Sequence, residues 1–190
     1  MEFLAQLWLP ILVAAVAVFI VSSILHMVIP VHAGDYKKLP DEGKVLEAMR
    51  SAGVGQGAYM FPCPGSMKEM SSPEMMEKYK AGPVGHMTLM PVGPPAIGKS
   101  LIQWFLYSVL MGVFVAYLSF IALHDRSPDY LAVFRVAGTV GVLGYATAYF
   151  HDSIWKGLSW KISIKFMIDG VIYGLVTAGV FAWLWPSTGA

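Results

Sequence analysis

Charged residues and cysteine are scarce in this chain of 190 residues. Only 13% of the residues are Asp, Glu, Lys or Arg, where roughly a quarter is usual in soluble domains. The net charge is +1 and no basic patch is interleaved with aromatic residues, so we expect no nucleic-acid partner. Because Cys63 is the only cysteine, the chain cannot form an internal disulfide. Cysteine content therefore does not indicate whether the protein lies in an oxidising or a reducing compartment.

Four long apolar runs dominate the sequence, and together they contain a single carboxylate, that of Asp169. A helix needs about 20 apolar residues to cross a hydrocarbon layer of about 30 Å. Because backbone amides find no water in lipid, each run is expected to be helical. The predicted fold class is an all-α membrane protein, a bundle of four transmembrane helices. The runs are 7–29, 101–123, 131–150 and 166–185.

These runs predict a first transmembrane helix at 1–30, an extramembrane loop subdomain at 31–98, and transmembrane helices 2–4 within 99–190. No Lys or Arg precedes the first run, which is also too long for a secretory signal, so we expect an uncleaved span. The stretch 151–165 mixes tryptophans with lysines and is predicted to be a linker in the membrane interface.

The loop between the first two spans, about 65 residues long, carries signals for two short helices and a small β-ribbon. Asp41 is a candidate N-cap for a helix that ends at Gly53, and Ser72 caps a second helix. The runs 58–61 and 86–90 have strand-forming composition and can pair as an antiparallel ribbon. The sequence therefore predicts a compact loop.

Positive charges are unevenly distributed between the two sides of the predicted bundle. The segment 31–100 carries eight Lys and Arg residues and the linker 151–165 carries three, whereas the other side has only Arg126 and Arg135. The positive-inside rule then places the long loop in the cytoplasm and both termini outside.

Small residues recur at four-residue steps in the last three predicted spans. In lipid, helices associate by close packing, which small residues permit, so these stripes predict a compact bundle. They are Ser108, Gly112 and Ala116 in the second span; Ala137, Gly141, Gly144 and Ala148 in the third; and Gly170, Gly174 and Ala178 in the fourth.

Asp169 lies three residues inside the fourth apolar run, where an ionisable group is costly and is by default a candidate for function. The predicted topology brings the span ends that carry histidine and aspartate to the same side of the membrane as this carboxylate. Imidazole and carboxylate groups suit zinc, iron or manganese, so one interpretation is a metal site. Its candidate ligands are His26, His151, Asp152 and Asp169, with His32 as a further ligand.

A structural role is the alternative interpretation of Asp169. No pair of the candidate ligands has a diagnostic spacing such as His-x-x-x-His. Buried charges are normally paired. In that case Asp169 pairs with Lys165 or His151 and holds the bundle together.

A soft-metal site is a further alternative, because seven methionines fall between residues 60 and 90. Thioether, thiol and imidazole groups suit Cu(I), and the candidate ligands are Cys63, His86 and Met87. Only Met67 and Met70 have the Met-x-x-Met spacing, and no repeat extends it. The competing interpretation is that the methionines are flexible apolar filler where the loop packs on a surface.

Motifs distributed over nearly the whole chain carry a family resemblance. They are His26-Met27-Val28-x-Pro30, Asp35-Tyr36-x-x-Leu39-Pro40-Asp41-Glu42, Gly57-x-Tyr59-Met60-Phe61-Pro62, Gly98-Lys99-Ser100-Leu101 and Tyr130-Leu131-Ala132-Val133-Phe134-Arg135. Together they resemble an uncharacterised family of small bacterial four-helix inner-membrane proteins. The resemblance implies a location in the bacterial inner (cytoplasmic) membrane, and it implies no activity and no catalytic residue.

Three functions remain open. The first expectation is an integral membrane scaffold or accessory subunit, whose partners are the lipid bilayer and either further copies of this chain or other membrane-protein subunits. The second is a membrane metal-binding or redox protein that uses the His/Asp cluster, with Zn, Fe, Mn or Cu as its transition metal. The third is a small proton-coupled transporter in which Asp169 alternates between protonated and charged states. No catalytic signature predicts an enzyme.

Overall fold

A computed structural model describes residues 2–186, and the fold is mostly helical. Residue 1, the start of the predicted range 1–30, and residues 187–190, the end of the predicted range 99–190, lie outside the described residues. Four helical segments are long and apolar enough to cross a membrane, which confirms the four predicted apolar helices. They are Glu2–Val28, Ile97–Leu123, Tyr130–Lys156 and Trp160–Trp183.

The helices and strands follow one another in a simple order along the chain. The first long helix, α1 (Glu2–Ser23), continues into one turn of π-helix at Ile24–Val28, and a 3-10 turn at Pro30–His32 follows. The elements are α1 (Glu2–Ser23), α2 (Glu42–Ser51), β1 (Gly57–Phe61), α3 (Met67–Met70), α4 (Pro73–Ala81), β2 (Gly85–Leu89), α5 (Ile97–Leu123), α6 (Tyr130–Ala146), α7 (Tyr149–Lys156) and α8 (Trp160–Trp183).

The predicted elements of the loop are present. β1 and β2 pair as an antiparallel two-stranded sheet. Ser72 caps α4 as predicted, since its hydroxyl accepts a hydrogen bond from the backbone N–H of Met75 at 3.2 Å. Asp41 occupies the N-cap position of α2 but makes no capping hydrogen bond. Its backbone is left-handed, with φ at 46°, and its side chain pairs with Lys44 instead.

The third apolar run is an interrupted helix rather than a continuous one. α6 ends at Ala146, and α7 begins after two residues in a turn. The hydroxyl of Thr147 donates to the carbonyl oxygen of Leu143 at 2.6 Å, and so competes for the acceptor that the helix would use. α8 begins at Trp160, before the fourth apolar run, so much of the predicted linker 151–165 is helical.

The contact between α6 and α8 depends on glycine. A Cβ atom on Gly174 would lie 2.6 Å from the backbone nitrogen of Val142, and one on Gly170 would lie 2.7 Å from the Cα of Ala146. A Cβ on Gly141 would lie 3.0 Å from the Cα of Gly174. These distances leave no room for a larger residue, so the small-residue stripes of both helices bring their backbones together.

α1 and α5 complete the packing around α6 and α8. Gly112 on α5 faces Ile11 of α1, whose Cγ2 would lie 3.2 Å from an added Cβ. The main buried cluster draws residues from all four long helices, and it lies in the half of the bundle away from the loop 31–98. Its members are Leu7, Ile11, Ala14, Val115, Ala116, Leu123, Val133, Ala137, Ala178 and Phe181.

Candidate functional site

The end of α1 positions the first histidine of the site. His26 lies within the π-helical turn, and turns of this kind are frequent at functional sites. Its side chain is 39% exposed, and its Nδ1 lies 3.1 Å from the carbonyl oxygen of Ser22. Because a carbonyl oxygen only accepts hydrogen bonds, this contact assigns a proton to Nδ1, and in the neutral ring the electron pair is then on Nε2.

The 3-10 turn then folds the chain back, so that His32 stacks on His26. The two imidazole rings are nearly parallel, with centroids 4.6 Å apart and an angle of 7° between their planes. Phe166 of α8 stacks on His32 at 4.8 Å. This aromatic stack holds both imidazoles beside the beginning of α8.

Asp169 lies on the buried face of α8, and its side chain is only 6% exposed. Its Oδ2 lies 2.8 Å from Nε2 of His32 and 3.7 Å from Nε2 of His26. One ligand atom from each of the three side chains lies within 4.8 Å of the others. Within residues 2–186, no other group of three His, Cys, Asp or Glu side chains meets that spacing.

A second carboxylate holds the opposite edge of His32. Nδ1 of His32 lies 2.6 Å from Oδ2 of Asp35. The ammonium of Lys165 donates to Oδ1 of Asp35 at 2.5 Å and to the carbonyl oxygen of Val31 at 2.7 Å. The hydrogen bond from Lys165 holds the pKa of the Asp35 carboxyl below its usual range, and the contact with His32 lowers it further. Asp35 is therefore an ionised group that orients the His32 ring.

His32 thus lies between two carboxylates, although a neutral imidazole donates only one hydrogen bond. With Asp169 ionised, two arrangements satisfy both contacts. In the first, His32 is doubly protonated and bridges Asp35 and Asp169 as a cation. In the second, His32 is neutral and donates from Nδ1 to Asp35, while Nε2 and Asp169 share a bound metal cation. The second arrangement is the usual environment of a metal-binding histidine.

Three of the five residues predicted as hard-metal ligands come together in the structure. His151 and Asp152 lie on α7, outside the group. The side chain of His151 is 67% exposed, and Asp152 pairs with Lys156 at 2.7 Å. The three that meet are His26, His32 and Asp169.

The partner of Asp169 also differs from the one that the structural interpretation predicts. Asp169 contacts His32 rather than Lys165 or His151, because the ammonium of Lys165 is directed to Asp35. Asp35 is absent from the predicted ligand set. Asp35 follows His32 by three residues, which places the two side chains within one turn. This spacing in the sequence is the feature that could have identified Asp35 as part of the site.

The soft-metal candidates do not converge in the same way. Cys63 is exposed, in the segment between β1 and α3. His86 and Met87 are consecutive residues of β2, so their side chains point to opposite faces of the ribbon. Copper binding by these residues stays a prediction.

The charges of the cluster bear on both arrangements. With His32 protonated, His32 and Lys165 balance Asp35 and Asp169, which explains how the cluster tolerates burial. With His32 neutral, one net negative charge remains, and a metal cation would offset it.

Comparison of the chain with protein-family models, with curated proteins and with solved structures finds no match.

Proposed function

We propose that this protein is a multi-pass membrane protein that binds one divalent transition-metal ion through His26, His32 and Asp169. The observation that carries the proposal is that Nε2 of both histidines approaches the same carboxylate oxygen. On each ring the other nitrogen is already held, by the carbonyl of Ser22 and by the carboxylate of Asp35. Metal-binding histidines are typically oriented by such outer hydrogen bonds.

The distances suit a small ion. Two atoms that bind one tetrahedral zinc at about 2.0–2.1 Å are roughly 3.3 Å apart. The distances from Asp169 to the two histidines, 2.8 and 3.7 Å, lie on either side of this value. Two imidazoles and one carboxylate form a donor set used by zinc and by non-haem iron, and three protein ligands leave a position open for water or substrate.

His26 is the residue that favours the metal over a simple ion pair. A protonated His32 between two carboxylates accounts for the contacts of His32 alone. Nδ1 of His26 donates to Ser22, so in the neutral ring Nε2 presents an electron pair 3.7 Å from the carboxylate oxygen of Asp169. Two electron-rich atoms at this separation are stabilised by a cation between them, and a metal ion provides it.

Metal content of the purified protein tests the proposal. The protein in detergent is stripped with a chelator and reloaded with Zn²⁺, Mn²⁺ or, without oxygen, Fe²⁺. We expect one ion per chain in the wild type. Affinity falls by well over about 10-fold in His26→Ala and in Asp169→Asn, since losing an outer partner alone costs about 10- to 100-fold.

His124 supplies a matched control. Like His26, it bonds its Nδ1 to the carbonyl oxygen four residues earlier, here Phe120 at 2.8 Å, but it lies outside the cluster. His124→Ala should therefore bind the ion as the wild type does. A wild type that holds no more metal than Asp169→Asn would contradict the proposal.

The proposed membrane placement follows the charge distribution. We assign the protein to the bacterial inner membrane, with the loop 31–98 and the metal site at the cytoplasmic side. Eleven of the thirteen Lys and Arg residues lie in the segments 31–100 and 151–165, which supports this orientation. The sequence resemblance described above supports the choice of membrane.

The scaffold, oligomer and transporter interpretations stay predictions. The small-residue stripes that can mediate association between chains are in large part used within one chain, as at Gly141 and Gly174. A transport role would use Asp169 as a protonation site, and the same residue is a ligand in the proposed metal site.

A further inference from the structure

A cavity of about 300 Å³ lies beside the proposed metal site, between α1, α5 and α8. Two of the three proposed ligands, His26 and Asp169, form part of its wall, so a metal ion held by them would border the cavity. Its volume is at the lower end of the range of about 300–1,000 Å³ for ligand cavities. The aromatic part of the wall consists of Trp104, Tyr149, Phe166 and Tyr173.

Several polar side chains of the wall already have partners within the protein. The indole N–H of Trp104 donates to the hydroxyl of Ser22 at 2.9 Å, and that hydroxyl donates to the carbonyl oxygen of Phe19 at 2.9 Å. The hydroxyl of Ser23 donates to the same carbonyl oxygen at 2.8 Å. The hydroxyl of Tyr173 has almost no accessible surface, so a ligand does not reach it. The wall is therefore largely apolar, and a polar group of a ligand would find its partner at the metal ion.

The cavity opens on the part of the bundle that we place in the membrane. Its exposed apolar residues are Met27 and Leu101, which are 80% and 42% exposed. Both belong to helical segments that are long and apolar enough to cross a membrane. In the proposed placement they contact lipid near the end of the bundle, so a molecule dissolved in the bilayer can enter beside them.

The charge of the metal-loaded cluster favours a negatively charged group on the ligand. Asp35 and Asp169 contribute two negative charges and Lys165 contributes one positive charge, while the histidines are neutral when they bind a metal. A divalent ion then leaves one net positive charge beside a largely apolar cavity. An anionic donor at the open coordination position would neutralise this charge, and buried charges are normally paired.

We propose that the metal site binds a single-chain amphiphile from the membrane, whose anionic end coordinates the metal ion and whose alkyl chain lies in the cavity. The apolar wall selects the chain, and the opening beside Met27 and Leu101 selects a molecule dissolved in lipid. The small volume suits one chain rather than the two chains of a phospholipid. This inference deepens the proposed function and rests on it, since without the metal ion the anionic end has no partner.

Alkanethiols test the inference, because a thiolate binds zinc or its coloured substitute Co²⁺ and the chain is easily lengthened. The stripped protein in detergent is loaded with Co²⁺ without oxygen, its cobalt content is measured, and thiolate binding is followed by the absorption of Co²⁺. From ethanethiol to hexanethiol, we expect the wild-type affinity for the free thiol in water to rise about 3- to 4-fold per methylene group. Leu101→Trp fills the cavity and should weaken hexanethiol binding by about 10-fold or more, with ethanethiol binding and cobalt content unchanged.

Leu118→Trp is the matched control, since Leu118 is 43% exposed on the same helix and is not among the cavity residues. It should bind both thiols as the wild type does. Ser23→Leu, which adds bulk to the cavity from α1, should reproduce the effect of Leu101→Trp. Equal affinity for hexanethiol in the wild type and in both filled variants would overturn the inference. A wild type that binds no Co²⁺ would contradict the proposed metal site as well, so cobalt content distinguishes the two failures.

The anionic end is tested separately, by displacement of hexanethiol from the cobalt-loaded wild type. Hexanoate and 1-hexanol have the same chain length, and both present oxygen to the metal, but only hexanoate is charged. We expect hexanoate to displace the thiol at a concentration about 10-fold lower or less. Equal displacement by the two compounds would overturn the assignment of an anionic ligand.

Discussion

Nε2 of His32 lies 2.8 Å from Oδ2 of Asp169, although 137 positions separate the two residues in the chain. The contact joins the segment that follows α1 to the third turn of α8. It also places an imidazole where a buried carboxylate needs a cationic partner, whether a proton or a metal ion supplies the charge. We therefore expect the stability of this end of the bundle and the proposed metal binding to be coupled.

Thermal unfolding in detergent should reveal the coupling. Zn²⁺ at 100 times its Kd stabilises a folded protein by about 2.7 kcal/mol, so the wild-type midpoint should rise when zinc is added. His26→Ala removes a half-exposed ligand and should abolish most of that rise without unfolding the protein. His124→Ala should show the wild-type rise. An equal rise in all three proteins would mean that zinc binds elsewhere.

Asp35 is expected to act on the metal through His32. Asp35→Asn removes the charge that orients the ring, and we predict that zinc affinity falls by about 10- to 100-fold while the stoichiometry stays at one. Competition with a zinc-binding dye measures the change. Asp152→Asn is the control, since Asp152 also pairs with a lysine but lies outside the cluster. An equal loss in both variants would contradict the proposed role of Asp35.

The apolar runs and the Ser72 cap could be predicted from the sequence because they depend on composition and local geometry. Hydropathy predicts the four long helices, and a Ser before a Pro predicts the start of α4. The residues of the candidate site could be predicted only in part from the sequence. His26, His32 and His151 lie near the same end of the predicted spans, and composition alone does not separate them. The π-helical turn at Ile24–Val28 and the turn that follows it select the first two.

Gly174 should tolerate no side chain. In Gly174→Ala the new Cβ would lie 2.6 Å from the backbone nitrogen of Val142, so α6 and α8 must separate. We predict a loss of about 1–3 kcal/mol in the free energy of unfolding, measured by denaturation in mixed micelles. Gly179→Ala on the same helix is the control, because its nearest neighbour is the Tyr130 hydroxyl at 3.8 Å. A larger loss at Gly179 than at Gly174 would contradict the observed packing.

Tyr173→Phe should leave the protein as stable as the wild type or more so. The change deletes a buried hydroxyl that has no partner among residues 2–186, so the free energy of unfolding should rise by up to about 1 kcal/mol. Tyr117→Phe, at an exposed position, should have almost no effect. A clear loss of stability would show that it has a structural partner.

Cys63 allows the proposed orientation to be tested with the natural sequence. It is the only cysteine, it is exposed, and it lies in the loop 31–98 that we place in the cytoplasm. A membrane-impermeant maleimide should label it in inverted vesicles and leave it unlabelled in intact spheroplasts. Asp125→Cys in a Cys63→Ser background should show the opposite pattern, since its side chain is 86% exposed between α5 and α6. The reverse result for both positions would mean that the topology is inverted. Labelling of both positions from the same side would mean that α5, the proposed span between them, does not cross the membrane.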